Sequence, residues 1–215
     1  MGTISKGILG GFSGKVGTVV GASIFGIDVM RSYQANVGNP RTVGQVSQRT
    51  KFSLIVQFLR LLLPIIKIGY ALKAIGQSAF NACVSYNIKN SITGTYPDYS
   101  IDFSKIMISQ GSLLKVPAPS IDENNASSVS IAFSQHCSST DTEYNDLAYA
   151  LFYNVTKGSV MTSMGIRKRS DSNVYVAPEM WAVGDEVHAW IFFTSPDGSK
   201  VSDSVYAGSA TLNTP

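Results

Sequence analysis

The chain has 215 residues, 44% of them hydrophobic, which supplies a core for one large domain or two small ones and excludes extended disorder. Only 14% are charged, well below the quarter or so typical of soluble domains, so Ser, Thr, Asn and Gly must carry much of the surface and some apolar surface is free for other subunits. The net charge of +3 conceals a split: residues 1–97 hold ten basic residues against one acid, Asp28, for +9, and residues 98–215 hold seven basic against thirteen acidic, for −6. Such a split points to an anionic partner for the first half or to head-to-tail contact between copies.

The N-terminus, MGTISKGILGGFSGK, lacks a long apolar core before a small-residue cleavage site. It predicts no secretory signal and a cytoplasmic or virion location, with Cys83 and Cys137 as reduced thiols. Ten of the nineteen glycines precede residue 45, and Gly7, Gly10, Gly14, Gly17 and Gly21 recur at alternating steps of three and four. That spacing fits the small-residue seam of a tight helix, but glycine costs about 1 kcal/mol per residue in a helix. The β-branched runs KVGTVV and IDVMRSY favour strands instead, so a hairpin is predicted with strands near residues 15–22 and 26–33.

Asn39-Pro40 is predicted to start a helix, Asn as cap and Pro at the first helical position. Val46, Phe52, Ile55, Val56 and Leu59 follow at helical spacing. Pro64 predicts a break near Leu63, with a shorter piece over residues 65–75. Ser78 is expected to cap a third piece over residues 79–92, with Phe80, Cys83, Val84 and Ile88 on one side and Gly94 as its stop. From Tyr96 the pattern turns to strands, expected at 101–108, 129–133, 147–155, 174–176, 187–193 and 204–207. Pro196 and Asp197-Gly198 mark the turn of a hairpin. This spacing predicts a small antiparallel sandwich of immunoglobulin or fibronectin type, able to fold alone, with Pro117 and Pro119 at its entrance. The predicted fold class is α+β. Residues 1–97 form a glycine-rich β-hairpin plus broken basic helices, and residues 98–215 form the β-sandwich domain.

Motifs that carry chemistry are weak. Gly10 to Lys15 fails as a phosphate loop: three residues, not four, separate Gly10 from Gly14, and Val16 follows the lysine. His136 neighbours Cys137 without a second ligand pair for zinc. His188 reads as a surface or edge histidine, Asp141, Glu143 and Asp146 as a solvated acidic loop, and Arg167-Lys168-Arg169 as a solvated hairpin tip. No catalytic residue, cofactor or metal is expected, and an enzyme is disfavoured. Arg49, Arg60 and Lys67 fall within about 20° of one another on an ideal helix. Three readings of that basic face compete: solvation, docking to an acidic surface of another subunit, or contact with nucleic acid or a membrane surface. Leu54 to Ile75 is apolar, but Arg60, Lys67, Lys73 and Pro64 interrupt it. Each charge costs about 2.5–3.5 kcal/mol at a bilayer centre, so no transmembrane segment is expected.

Several stretches carry a family resemblance. They are Gly7 to Gly17 (GILGGFSGKVG), Asn39-Pro40-Arg41-Thr42 with Gln45, Arg49 and Phe52, Ala79-Phe80-Asn81-Ala82, Ile92 to Pro97 (ITGTYP), and Ser109 to Leu113 (SQGSL). The chain resembles a family of similar-length proteins from Bacteroidetes bacteria, known only as a domain of unknown function. The likeness covers nearly the whole chain and brings no catalytic residue, cofactor or substrate. The segment from Asn39 to Phe52 also resembles short helical segments of phage-encoded proteins.

The expected function is non-enzymatic: a structural or assembly protein, phage or phage-derived, that forms a homo-oligomer or binds other structural proteins. The glycines Gly7, Gly10, Gly14, Gly17 and Gly21 and the cations Arg49, Arg60 and Lys67 are its candidate interface. The alternatives are a nucleic-acid-associated protein using the basic half and a peripheral membrane protein.

Overall fold

The computed structural model describes residues 2–4, 7, 10–36, 38–124, 126–135 and 143–214. They form two compact units, Met1–Val46 and Ser47–Pro215.

The first unit is an antiparallel meander of β1 (Thr3–Ile4), β2 (Phe12–Val16), β3 (Val19–Ile24) and β4 (Ile27–Ser32), in that spatial order. The expected strand over residues 15–22 is in fact two strands, because Gly17 takes φ +59° and turns the chain there. Phe25 and Gly26 join β3 to β4 with φ of +51° and +80°. Positive φ at both central residues is the condition of a type I′ turn, whose twist matches that of paired strands.

The helical segment begins later than expected. Arg41 has φ +50°, which separates Pro40 from the helix, and Thr42 supplies the cap: its Oγ1 accepts from the Gln45 N–H at 3.4 Å and its carbonyl from Val46 at 2.9 Å. α1 runs Val43–Leu61 and α2 Leu63–Gly69, and their axes differ by 91°. The break falls at Leu62, just ahead of Pro64, which has no N–H to continue the ladder. A 3-10 turn follows at Ala71–Lys73, then α3 (Ala79–Asn90), where Ser78 Oγ accepts from the Asn81 N–H at 3.1 Å. Gly94 does not stop this helix. It takes φ +91° inside the next hairpin, between β5 (Ile92–Thr95) and β6 (Asp98–Ile101). The strand expected over residues 101–108 is replaced by a 3-10 turn, Phe103–Lys105, because Asp102 Oδ1 accepts from the Ser104 N–H at 3.2 Å and caps it.

Two antiparallel sheets follow. β7 (Ser120–Asn124), β8 (Val129–Ala132) and β11 (Asn173–Val176) form one, in order β11-β8-β7. β9 (Leu147–Asn154), β10 (Ser159–Lys168), β12 (Glu186–Thr194) and β13 (Val205–Thr211) form the other, in order β10-β9-β12-β13. Their facing side chains share one core: Val129, Ile131 and Val174 meet Ala150, Phe152, Ala189, Ile191 and Phe193. This is a β-sandwich.

The sandwich has a third layer. Residues of β9 and β12 with the opposite parity, Leu151, Trp190 and Phe192, point away from that core into a second one, shared with Ile55, Phe58 and Leu59 of α1, Leu62 at the break, Ile66 of α2 and Cys83 of α3. Side chains alternate across a strand, so helices on one face and a sheet on the other bury both sets. Eight of the nine positions of β12 are buried for this reason. The expected division at residues 97 and 98 therefore cuts through one core. The compact units divide at Val46 and Ser47 instead. No single helix among the described residues is long and apolar enough to cross a membrane; α1 and α2 reach that composition only as a bent pair.

Candidate functional site

Buried polar clusters are where catalysis or ligation would be sought first. In the second unit they serve the fold. Arg169 Nε lies 3.3 Å from Asp146 Oδ2, both side chains fully buried, and its Nη2 donates to the Leu114 carbonyl at 3.0 Å. Its guanidinium sits 4.1 Å from the centre of the Phe193 ring. Burial pushes the Asp146 carboxyl up, against the Glu143 N–H and Arg169. The basic triplet is thus no solvated tip: Arg169 is core, Arg167 lies over Tyr175, and Lys168 Nζ reaches Asn145. Asp146 likewise leaves the expected solvated acidic loop.

Asp185 accepts from the Ala182 N–H and from Asn154 Nδ2 at 2.9 and 2.8 Å, with Lys157 Nζ at 3.2 Å. The Ala182 N–H, then Asn154, then Lys157 hold its carboxyl below the usual range. His188, expected at the surface, is 9% exposed. Its Nδ1 lies 2.6 Å from Tyr206 Oη, its Nε2 3.5 Å from Glu186, and the Phe103 ring centre 4.4 Å away. Burial lowers its proton affinity, against Glu186. Cys83 is buried and its thiol pushed up to about 12, chiefly by burial. Among the described residues no group of three His, Cys, Asp or Glu is placed to hold a metal. His136, Cys137 and Asp141 lie outside the described residues.

The first unit has the opposite character. Among its described residues only Gly21 is buried. Strand register sorts its side chains into two faces: Val20 pairs with Lys15 and Arg31, Ala22 with Val29, and Ile24 with Ile27. One face is therefore apolar at Val20, Ala22, Ile24, Ile27 and Val29, with Lys15 and Arg31 at one end. Ile27 is 63% exposed and Ile24 52%. Lys15 Nζ stands 3.4 Å over the Tyr33 ring. On the other face Phe12 and Asp28 close over backbone. A Cβ at Gly21 would run into the Phe12 carbonyl oxygen, with the ring carbons 2.7 Å away, and one at Gly11 would strike the Asp28 carboxylate. β4 is an edge of this sheet, with exposed residues throughout.

The candidate glycines do not form one seam. Gly10 donates to the Gly7 carbonyl at 2.9 Å outside the strands, Gly14 pairs with Gly21 across β2 and β3, and Gly17 is the turn. Arg49 and Arg60 lie on exposed positions of α1, but the 91° bend puts Lys67 on another axis, so the three share no face. The charge split also dissolves. Residues 1–46 carry four basic residues and one acid, and residues 47–215 thirteen of each. The cations of α1 to α3 belong to the same unit as the acids of the sandwich. The spacing of glycines and cations does not reveal what distinguishes the first unit: a sheet beneath which, among the described residues, only Gly21 is buried.

No curated protein matches the chain. Among solved structures it is similar to the fibronectin type III domain of the human collagen α-1(XX) chain, at 12% identity over 47% of this chain and 87% of that one, TM-score 0.33. It is similar too to a fibronectin type III domain of human contactin 1, at 3% identity over 50% of this chain and 83% of that one, TM-score 0.34. A family model spans most of both units, matching residues 11–208, and on that match the chain belongs to DUF6266, a family of unknown function.

Proposed function

We propose that this protein is a non-enzymatic structural component that self-associates through the β1–β4 sheet. The observation that carries the reading is a four-stranded sheet whose apolar side chains are exposed and beneath which, among described residues, only Gly21 is buried. A sheet of this size gains independent stability only by packing an apolar face on something. Exposed apolar patches on this scale mark contact with another macromolecule. A charge-poor surface and repeated identical contacts suit a component of a larger assembly. A phage or phage-derived particle in a Bacteroidetes host is the proposed setting, on the likeness of residues 39–52 to phage-encoded segments.

Light scattering on the full chain tests this. The chain mass is 23.0 kDa, and multiples of it are expected at micromolar concentration. Ile27→Lys on the apolar face should return the protein to monomer with unchanged circular dichroism. A wild type that stays monomeric at high micromolar concentration refutes the reading. If it binds DNA with a steep salt slope instead, the basic residues have the nucleic-acid role.

A further inference from the structure

The second unit carries a surface that complements the uncovered sheet. Between the start of β10 and the segment leading to β12 lies a groove of about 370 Å³, lined among others by Val160, Met161, Pro178, Glu179, Met180 and Trp181. Trp181 forms a buried wall, fixed by donation from its Nε1 to Ser159 Oγ at 2.9 Å. Met180 is 83% exposed on the rim. The cation beside the groove, Lys157, is already engaged by Asp185 and the Met180 carbonyl. Glu179 is exposed and makes no ion pair among the described residues. The groove is thus apolar with an anionic rim. The sheet face of the first unit is apolar with a cationic end, where Arg31 also makes no ion pair among the described residues.

Resting on the self-association reading, we infer that the contact is heterologous: the sheet face of one copy, led by Ile27 and Val29, docks on the Trp181 groove of a second copy, with Arg31 against Glu179. Each copy then carries one of each surface. Such a contact propagates head to tail, into a ring if the rotation closes and a filament if it does not. Opposed charges at the rim select the partner and orient it, and the apolar centre supplies most of the affinity.

Two full-length variants test it, Val29→Asp with a dead face and Met180→Lys with a dead groove. Each alone should be monomeric at concentrations where the wild type is not. Mixed one to one, they should form a two-chain complex and stop, since one live face meets one live groove. Reversing the charge in Arg31→Glu should weaken association by more than about tenfold, and adding Glu179→Arg should restore it. If Met180→Lys assembles like the wild type while Val29→Asp does not, the groove is wrong and self-association through the sheet stands. If both are monomeric but mixing restores nothing, the contact is not head-to-tail. A monomeric wild type removes both readings. Unchanged circular dichroism in every variant keeps misfolding from imitating these outcomes.

Discussion

Asn87 holds Met107 by both of its backbone groups. The Asn87 amide donates to the Met107 carbonyl at 2.8 Å, and its Oδ1 accepts the Met107 N–H at 2.9 Å. A buried side chain on α3 thereby stands in for a neighbouring strand and ties down the segment after the 3-10 turn. Ser91 Oγ extends the network, 3.0 Å from Asn87 Oδ1 and 2.8 Å from the Lys105 carbonyl.

Asn87→Ala leaves the Met107 N–H without its partner and the Met107 carbonyl with only the longer contacts from Tyr70 Oη at 3.4 Å and Cys83 Sγ at 3.6 Å. An unsatisfied buried polar group costs about 1–3 kcal/mol, so the variant should lose about that much in urea unfolding. A loss under about 0.5 kcal/mol would mean that water or a local shift replaces the clamp.

The Arg169–Asp146 pair predicts a non-additive pair of substitutions. Arg169→Met strands a buried carboxylate and should cost about 3–5 kcal/mol. Adding Asp146→Leu removes that charge, and the double variant should recover most of the loss. A double-mutant cycle in denaturant measures the coupling, and simple additivity would argue against a working ion pair.

His188 makes stability fall on the acid side of neutrality. Its folded pKa lies below the ordinary 6.5, chiefly through burial. The unfolded chain therefore takes up the proton first as pH falls. The stability present above 6.5 declines from there toward the lower folded value. Melting temperatures of the wild type should drop between about pH 7 and 5.5, and those of His188→Phe should drop less.

The helical layer is part of the sandwich fold, which reverses the expectation that the strands stand alone. A fragment of residues 98–215 would expose Leu151, Trp190 and Phe192, which α1 to α3 cover. Each such side chain is worth about 1.5–3 kcal/mol of burial, comparable in sum with the whole stability of a domain. That fragment should aggregate or melt without cooperativity. Residues 47–215 should melt in one transition, followed by near-ultraviolet circular dichroism of the tryptophans.

Gly21 has no room for a side chain. Gly21→Val would drive a side chain into Phe12 and should open the β1–β4 sheet, costing about 1–3 kcal/mol and abolishing oligomers. At Gly7 nothing stands within 4 Å, so Gly7→Ala meets only the penalty of φ +71°, about 1–2 kcal/mol, and should leave oligomer mass unchanged.

Local chemistry was legible wherever a residue acts on its own backbone. Pro64 breaks the helix because its ring removes a donor, and Ser78 caps α3 through its own hydroxyl. Alternating apolar runs announced β8, β9 and β12, and Pro196 with Asp197-Gly198 announced the turn that follows. β10 was missed although it is ten residues long, because Gly165 and the register shift between Met164 and Arg167 break its alternation. β7, SIDEN, is too polar to stand out. Asn87 gave no signal, since its partners are backbone atoms twenty residues away.

The sequence by itself determined the helix break at Pro64, the cap at Ser78 and the strands β8, β9 and β12. Tertiary structure alone decided which apolar face meets which. Alternation in β12 defines two faces but not that helices cover one and a sheet the other. Nor does counting charges along the chain show that thirteen cations and thirteen acids share one folded unit. Burial and charge balance depend on neighbours distant in sequence, and only the folded packing brings those neighbours together.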